Sequence, residues 1–167
     1  MIRFGENIKA GLERDPASRH ALEVILTSPG LHALWNHRQA NFLWRLRLKT
    51  LARMWAYAGR ISTGIEIHPA AKIGRRLVID HGMGIVIGET AVVGDDVLLY
   101  HGVTLGAKSA TSGKRHPTVG NRVVIGAGAI VIGNVTLHDD SIVGAGSVVT
   151  KDVANGVTVI GNPARTI

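Results

Sequence analysis

From Thr63 to Thr104 the chain repeats every six residues. Ile67, Ile73, Ile79, Ile85, Ala91, Val97 and Val103 follow at that interval without a gap, separated by small, polar or glycine residues. An α-helix returns an apolar face every three or four residues and a strand every two, so neither alone produces a strict six. One branched aliphatic residue plus short filler, repeated at six, is the pattern of a hexapeptide β-helix. Each unit forms a flat face, and three units close a triangular coil of about 18 residues. The aliphatic residue is expected to point inward and stack on its counterparts in the coils above and below.

The repeat breaks once. Residues 106–121, GAKSATSGKRHPTVGN, carry no sixfold pattern and are rich in Gly, Ser, Lys and Pro. The interval from Val103 to Val124 is 21 residues, not a multiple of six. Val124, Ile130, Thr136, Ile142 and Val148 then resume the period, with Ile125, Val131, Leu137, Val143 and Val149 beside them. The break reads as a loop ejected from the solenoid, and long loops on regular scaffolds usually carry function. About five coils are expected.

Upstream of the repeat the rules change. Six of the seven Phe, Trp and Tyr residues lie at or before Tyr57, and 17 of the 21 glycines lie from Gly64 onward. Two regions are expected, 1–60 helical and 61–167 solenoid. Residues 1–14 read as a short helix. Asp15-Pro16-Ala17-Ser18 reads as the start of a second, with Asp15 as its N-cap and Pro16 in the first turn. Ser28-Pro29-Gly30 breaks it. Leu31 to Ala58 shows apolar spacing of three to four, and Gly59 is the expected stop. Solenoid ends expose strand edges that invite aggregation, so residues 1–60 are expected to cover one end.

Length fits one domain of ordinary size. There is no cysteine, which excludes disulfides, thiolate metal ligation and a cysteine nucleophile. No run of 18 apolar residues occurs, and MIRFGENIKAGLERDP is too charged for a secretory signal. A cytoplasmic location is expected, with no membrane partner. Residues 1–60 hold ten Lys/Arg and four Asp/Glu, and so carry +6 of the net +7. These charges are spread along helical segments beside Trp and Leu, which points to solvated helix faces rather than a nucleic-acid interface.

Chemistry is expected where charge interrupts the repeat. His81 follows Asp80 in the turn IDHGMG. Glu66 and His68 lie 15 and 13 residues earlier, near one coil back, and a carboxylate beside a histidine fixes its tautomer and raises its basicity. The ordinary readings are a solvated edge residue for Glu66 and a turn residue before Pro69 for His68. Arg115 and His116 lie in the ejected loop, where the planar guanidinium suits a carboxylate. His101 reads as a satisfied corner residue, the alternative being a second polar group lining the site. A zinc site between subunits, with His81, His101 and His116 as ligands, is the competing arrangement. Zinc wants closely supported ligands, and no closely spaced His pair favours it.

These motifs together resemble a known family. TGIEIHPAAKIGRRLVIDHGMGIVIGETAVVGDDVLLYHGVTLG, GKRHPTVGNRVVIGAGAIVIGNVTLHDDSIVGAGSVVTKDV and GNPAR are similar to serine O-acetyltransferase, and the likeness reaches upstream to RDPAS. The resemblance implies a left-handed parallel β-helix preceded by a short α-helical region. It also implies transfer of an acetyl group from acetyl-CoA to the hydroxyl of L-serine, the first step of cysteine biosynthesis, without a metal. On that resemblance His81 is the general base and Glu66 its acidic partner. Asp15 and Asp80 hold the amino group of serine, Arg115 grips its carboxylate, and His116 is a further substrate contact. Ala107, Ala127 and Ala145 fall where the cofactor arm passes.

The partners implied are L-serine, acetyl-CoA, two further copies of the chain, and L-cysteine as feedback inhibitor. The sequence departs from the family in three places. Longer members add helices that build a dimer of trimers; here a homotrimer is the expectation. The family's VTLGG is VTLGA at Ala107. The chain ends at Ile167 soon after GNPAR, whereas the family's longer tail, ending in isoleucine, docks into O-acetylserine sulfhydrylase.

Overall fold

The computed structural model describes residues 2–15 and 17–167. Four helices come first: α1 (Ile2–Arg14), α2 (Ala21–Thr27), α3 (Pro29–Arg45) and α4 (Lys49–Thr63). Fifteen short strands follow and wind into a solenoid of about five turns with three faces. The first face holds β1 (Glu66–Ile67), β4 (Val86–Ile87), β7 (Thr104–Gly106), β10 (Ile130–Ile132) and β13 (Val148–Val149). The second holds β2 (Lys72–Ile73), β5 (Val92–Val93), β8 (Thr118–Val119) and β11 (Thr136–Leu137). The third holds β3 (Val78–Asp80), β6 (Leu98–Tyr100), β9 (Val124–Ile125), β12 (Ile142–Val143), β14 (Thr158–Ile160) and β15 (Arg165–Thr166). All pairings are parallel except that of β15, which lies antiparallel on β14.

Each coil buries two residues per face, flanking an outward one. Ile67, Ile87, Leu105, Val131 and Val149 form one inward column, and Ile65, Ile85, Val103, Ala129 and Ser147 the next. Burying a branched aliphatic side chain contributes about 1.5–3 kcal/mol, so these columns hold the coils together.

The columns correct the sequence reading at two points. The unbroken series of sixes crosses from one column to the other: Ile79 stacks with Leu99, whereas Ile85 stacks on Ile65. Glu66 pairs with Val86, a step of 20 residues, while Val86 pairs with Thr104, a step of 18. Two extra residues are therefore hidden in the turn after Asp80. In the later coils the series beginning at Val124 faces outward, and Ile125, Val131, Leu137, Val143 and Val149 are the inward residues. Thr104 pairs with Ile130, a step of 26, so the ejected loop adds eight residues to an 18-residue coil. β8 has already rejoined the solenoid at Thr118.

The helical region covers the first coil. Asn7 Nδ2 donates to the Leu77 carbonyl at 3.0 Å and Asn41 Nδ2 to that of Pro69 at 2.8 Å, satisfying edge groups. Gly30 sits so close to the coil that a Cβ there would meet the Ile79 carbonyl at 2.4 Å. Gly59 does not end α4. The helix runs on to Thr63, and Gly64, at φ 71°, is the left-handed stop.

Asp15 does not start a helix either. α2 begins at Ala21, with the His20 side chain accepting from the Glu23 N–H, and Pro16 lies outside the described residues. Ser28 ends α2 and caps α3, accepting from Leu31 N–H at 3.2 Å, with Pro29 in the first turn. Gln39, Ala40 and Asn41 lie inside α3.

His37, on α3 against the first coil, is 5 % exposed, and its Nε2 has no hydrogen-bond partner among the described residues. Burial lowers its pKa to about 4, with the Arg38 and His68 charges acting in the same direction. Between pH 6.5 and 4 the unfolded chain therefore binds a proton at this position that the folded chain does not. Stability is lost as pH falls through that window and levels off below it. Linkage gives about 2 kcal/mol of lost stability between pH 7 and pH 5. Urea unfolding at the two pH values is expected to show this difference, and His37→Gln to remove most of it.

Candidate active site

The two hidden residues make the site. In the next coil a single residue, His101, links Tyr100 to Gly102. The corresponding link from Asp80 to Gly84 is His81, Gly82 and Met83. The longer turn pushes His81 outward, leaving its side chain 76 % exposed. His81 has φ 59°, a left-handed backbone that a non-glycine residue holds only at a cost of about 1–3 kcal/mol. Gly82 N–H donates to the Asp80 carbonyl at 2.7 Å, closing the turn. A Cβ at Gly82 would meet Ile65 Cδ1 at 2.4 Å.

His81 is flanked by acids. Asp80 Oδ1 lies 4.0 Å from its Nε2. Asp15 follows α1 and reaches the same cavity of about 310 Å³, which Arg14, Asp15, Ser18, Asp80, His81 and Tyr100 help to line. Arg14 Nη2 donates to the Asp96 carbonyl at 2.8 Å and fixes the end of α1 there. Asp15 accepts from Ser18 Oγ at 2.7 Å and Ala17 N–H at 2.8 Å. These bonds, together with the nearby His81, hold its pKa below the usual carboxylate range. The cavity thus presents a base beside two carboxylates, a setting for an ammonium group and a hydroxyl. His101 stands at the corner, and its ring meets that of His81 edge-on with centroids 5.8 Å apart.

Ala127 and Ala145 occupy the same solenoid corner further along. Gly102 N–H donates to Met83, Gly128 to His101 and Gly146 to Ala127, so Met83, His101, Ala127 and Ala145 form a column. The stacked glycines have positive φ, and a Cβ on Gly102 would approach Gly128 Cα at 3.3 Å. Small side chains and glycine backbone thus line this corner from Ala145 up to His101, which meets His81. Ala107 opens the ejected loop and lines a shallow cleft with Lys108, Ser109, Ser112 and Arg115.

The remaining residues lie elsewhere. Glu66 faces outward from β1 and pairs with Arg60 at 2.8 Å, not with His81. The coil here is 20 residues, so a spacing of 15 does not superpose them. Arg115 and His116 return from the loop at the opposite edge of the first face, between β7 and β8. Arg115 pairs with Glu89, whose pKa that contact lowers. His116 is 8 % exposed and packs against Gly88, where a Cβ would overlap its ring. Burial, and then Arg115, lower its pKa.

His68 sits with this second group. Its ring meets Trp44 edge-on at 5.1 Å, its Nδ1 accepts from Ala70 N–H, and Glu89, His116 and Arg115 act on its charge. Within one chain, then, Asp15, Asp80 and His81 form one group at one solenoid edge. Arg115 and His116 belong to another across the first face, and Glu66 stands on that face, paired with Arg60. His81, His101 and His116 are not gathered, and among the described residues no group of three His or acidic side chains is placed to hold a metal ion. Sequence reasoning missed Ser18, Tyr100, Glu89 and Thr90. Glu89 and Thr90 are joined to Arg115 and His116 by the same 26-residue step as the strands beside them, which the loop insertion conceals.

Residues 116–151 match the family described as bacterial transferase hexapeptide (six repeats). The chain is 55% identical over 161 residues to a serine acetyltransferase of Mycobacterium tuberculosis, covering 96% of this chain and 70% of that one. It is 52% identical to one of Helicobacter pylori, covering 100% of this chain and 98% of that one. Among solved structures, a Brucella abortus serine acetyltransferase with coenzyme A superposes at TM-score 0.97 and 42% identity, over 99% of this chain and 66% of that one. A soybean serine acetyltransferase complexed with serine gives 0.97 and 41%, over 99% and 68%. A serine acetyltransferase complexed with cysteine gives 0.98 and 39%, over 99% and 69%.

Proposed function

Because the chain belongs to the serine acetyltransferase family, we propose that it transfers acetyl from acetyl-CoA to L-serine, with His81 as general base. The observation that carries this reading is the cavity shared by His81, Asp80 and Asp15, beside the corner column that holds Ala127 and Ala145. The ammonium of serine lies between Asp15 and Asp80. His81 takes the proton from the serine hydroxyl as its oxygen attacks the thioester carbonyl. The tetrahedral intermediate collapses, the C–S bond breaks, and the CoA sulfur leaves with the proton from His81. Acetyl moves from sulfur to oxygen, giving O-acetyl-L-serine and CoA. The column of small residues admits the pantetheine arm, and Ala107, at the other edge of the first face, borders its path from the partner subunit.

One chain does not complete this site. The substrate carboxylate needs Arg115, and the imidazole needs an orienting acid, yet Arg115 and His116 lie across the first face from His81, and Glu66 on that face is paired with Arg60. A closed threefold assembly brings one edge of a prism against the face of the next. In the homotrimer, Arg115 of the partner subunit grips the carboxylate, His116 of the partner subunit contacts substrate, and Glu66 of the partner subunit orients His81. Relatives with coenzyme A, serine and cysteine bound support acetyl-CoA and serine as substrates and cysteine as a competing ligand. This reaction opens cysteine biosynthesis, and the protein works in the cytoplasm.

The test is release of free CoA from acetyl-CoA. Release is expected only when L-serine is added, and to fall when L-cysteine is present. Release driven by a sugar or an antibiotic acceptor, with no response to serine, would overturn the reading.

A further inference from the structure

The ejected loop returns to the solenoid through one side chain that the mechanism above does not use. Thr90 Oγ1 accepts from the Arg115 N–H at 3.0 Å and the His116 N–H at 3.1 Å. A hydroxyl has two acceptor sites and one proton. With both acceptor sites engaged, the proton is left for His116 Nδ1, 2.9 Å away. The Thr90 N–H also donates to that nitrogen, at 3.2 Å. Nδ1 of His116 therefore receives two donors and carries no proton of its own, so the ring proton lies on Nε2. Lys114 Nζ reinforces the same turn by donating to the Thr90 carbonyl at 2.8 Å and the Pro117 carbonyl at 3.1 Å.

We propose that Thr90 is a positioning residue that locks His116 as the Nε2–H tautomer and seats Arg115 beside it, so that the pair presents donors only. A carboxylate offers acceptors only, so this arrangement selects for the acid end of an amino-acid substrate and against a neutral acceptor. The inference rests on the reading of Arg115 and His116 as the carboxylate site. Its physical content, the tautomer, is separable from the activity.

The experiment uses the full chain with ¹⁵N-labelled histidine, His116 being assigned by its loss in His116→Gln. In the unaltered protein the His116 nitrogens are expected to show the Nε2–H tautomer. Thr90→Val keeps the shape and removes the hydroxyl, and is expected to give a mixture of tautomers; Thr90→Ser is expected to restore the single one. In kinetics, Thr90→Val is expected to raise the KM for serine roughly tenfold to a hundredfold, with the KM for acetyl-CoA within about twofold and Thr90→Ser close to the parent. An Nδ1–H tautomer in the unaltered protein, an unchanged tautomer in Thr90→Val, or equal impairment by Ser and Val would each overturn the proposal. Should Thr90→Val not fold, the tautomer of the unaltered protein and the behaviour of Thr90→Ser still decide it. If the unaltered protein does not acetylate serine, the functional reading fails, and the nitrogen shifts still report on Thr90.

Discussion

His81→Ala is expected to lower serine-dependent CoA release by a factor of about 10² to 10⁴, the range for loss of a positioned general base. The fold has no need of this imidazole. His81 stands in a two-residue extension of the coil, outside every inward column, with its side chain mostly exposed. Its substitution removes no core packing, and the left-handed φ of 59° is no worse for alanine than for histidine by more than a few tenths of a kcal/mol. Unfolding of the variant should therefore match that of the parent, and the KM for acetyl-CoA should hold. A loss of activity accompanied by an equal loss of stability would mean that the turn is structural.

Arg115→Ala is expected to reduce kcat/KM for serine by roughly 10² to 10³, from the loss of a charge-assisted pair worth about 2–5 kcal/mol when one partner is truncated. Two effects add here. The substrate carboxylate loses its forked donor, and Glu89, which Arg115 now neutralises, is left beside an incoming anion. Arg115→Lys keeps the charge but not the fork, so it is expected to fall between the two. Affinity for acetyl-CoA serves as the internal control in the same assay.

Much of the fold is legible in the sequence. The apolar residues at sixes give the solenoid because an inward-facing branched residue must recur once per face. The charged residues that break the pattern give the site because nothing in the core calls for them. Periodicity failed where it looked most regular. Ile79 and Ile85 stand six apart, yet they belong to different inward columns, and the extension that ejects His81 hides between them. An eight-residue insertion likewise hides the pairing of Thr90 with His116. Both are register effects, and register depends on hydrogen bonding between coils rather than on local spacing. Asp before Pro has the propensity of a helix cap, and only the family resemblance points Asp15 toward substrate. Its carboxylate instead closes a turn on Ala17 and Ser18, in the cavity that His81 also lines.

The proposed site joins two edges of different subunits, and co-assembly of the two defective chains tests this directly. His81→Ala and Arg115→Ala chains carrying different tags are co-expressed, and mixed trimers are purified through both tags. In such a trimer one junction in three joins an intact His81 to an intact Arg115, so about a third of the parent activity is expected to return. Mixed trimers no more active than the two variants alone would contradict the shared site and place His81 and Arg115 in the same chain's active centre.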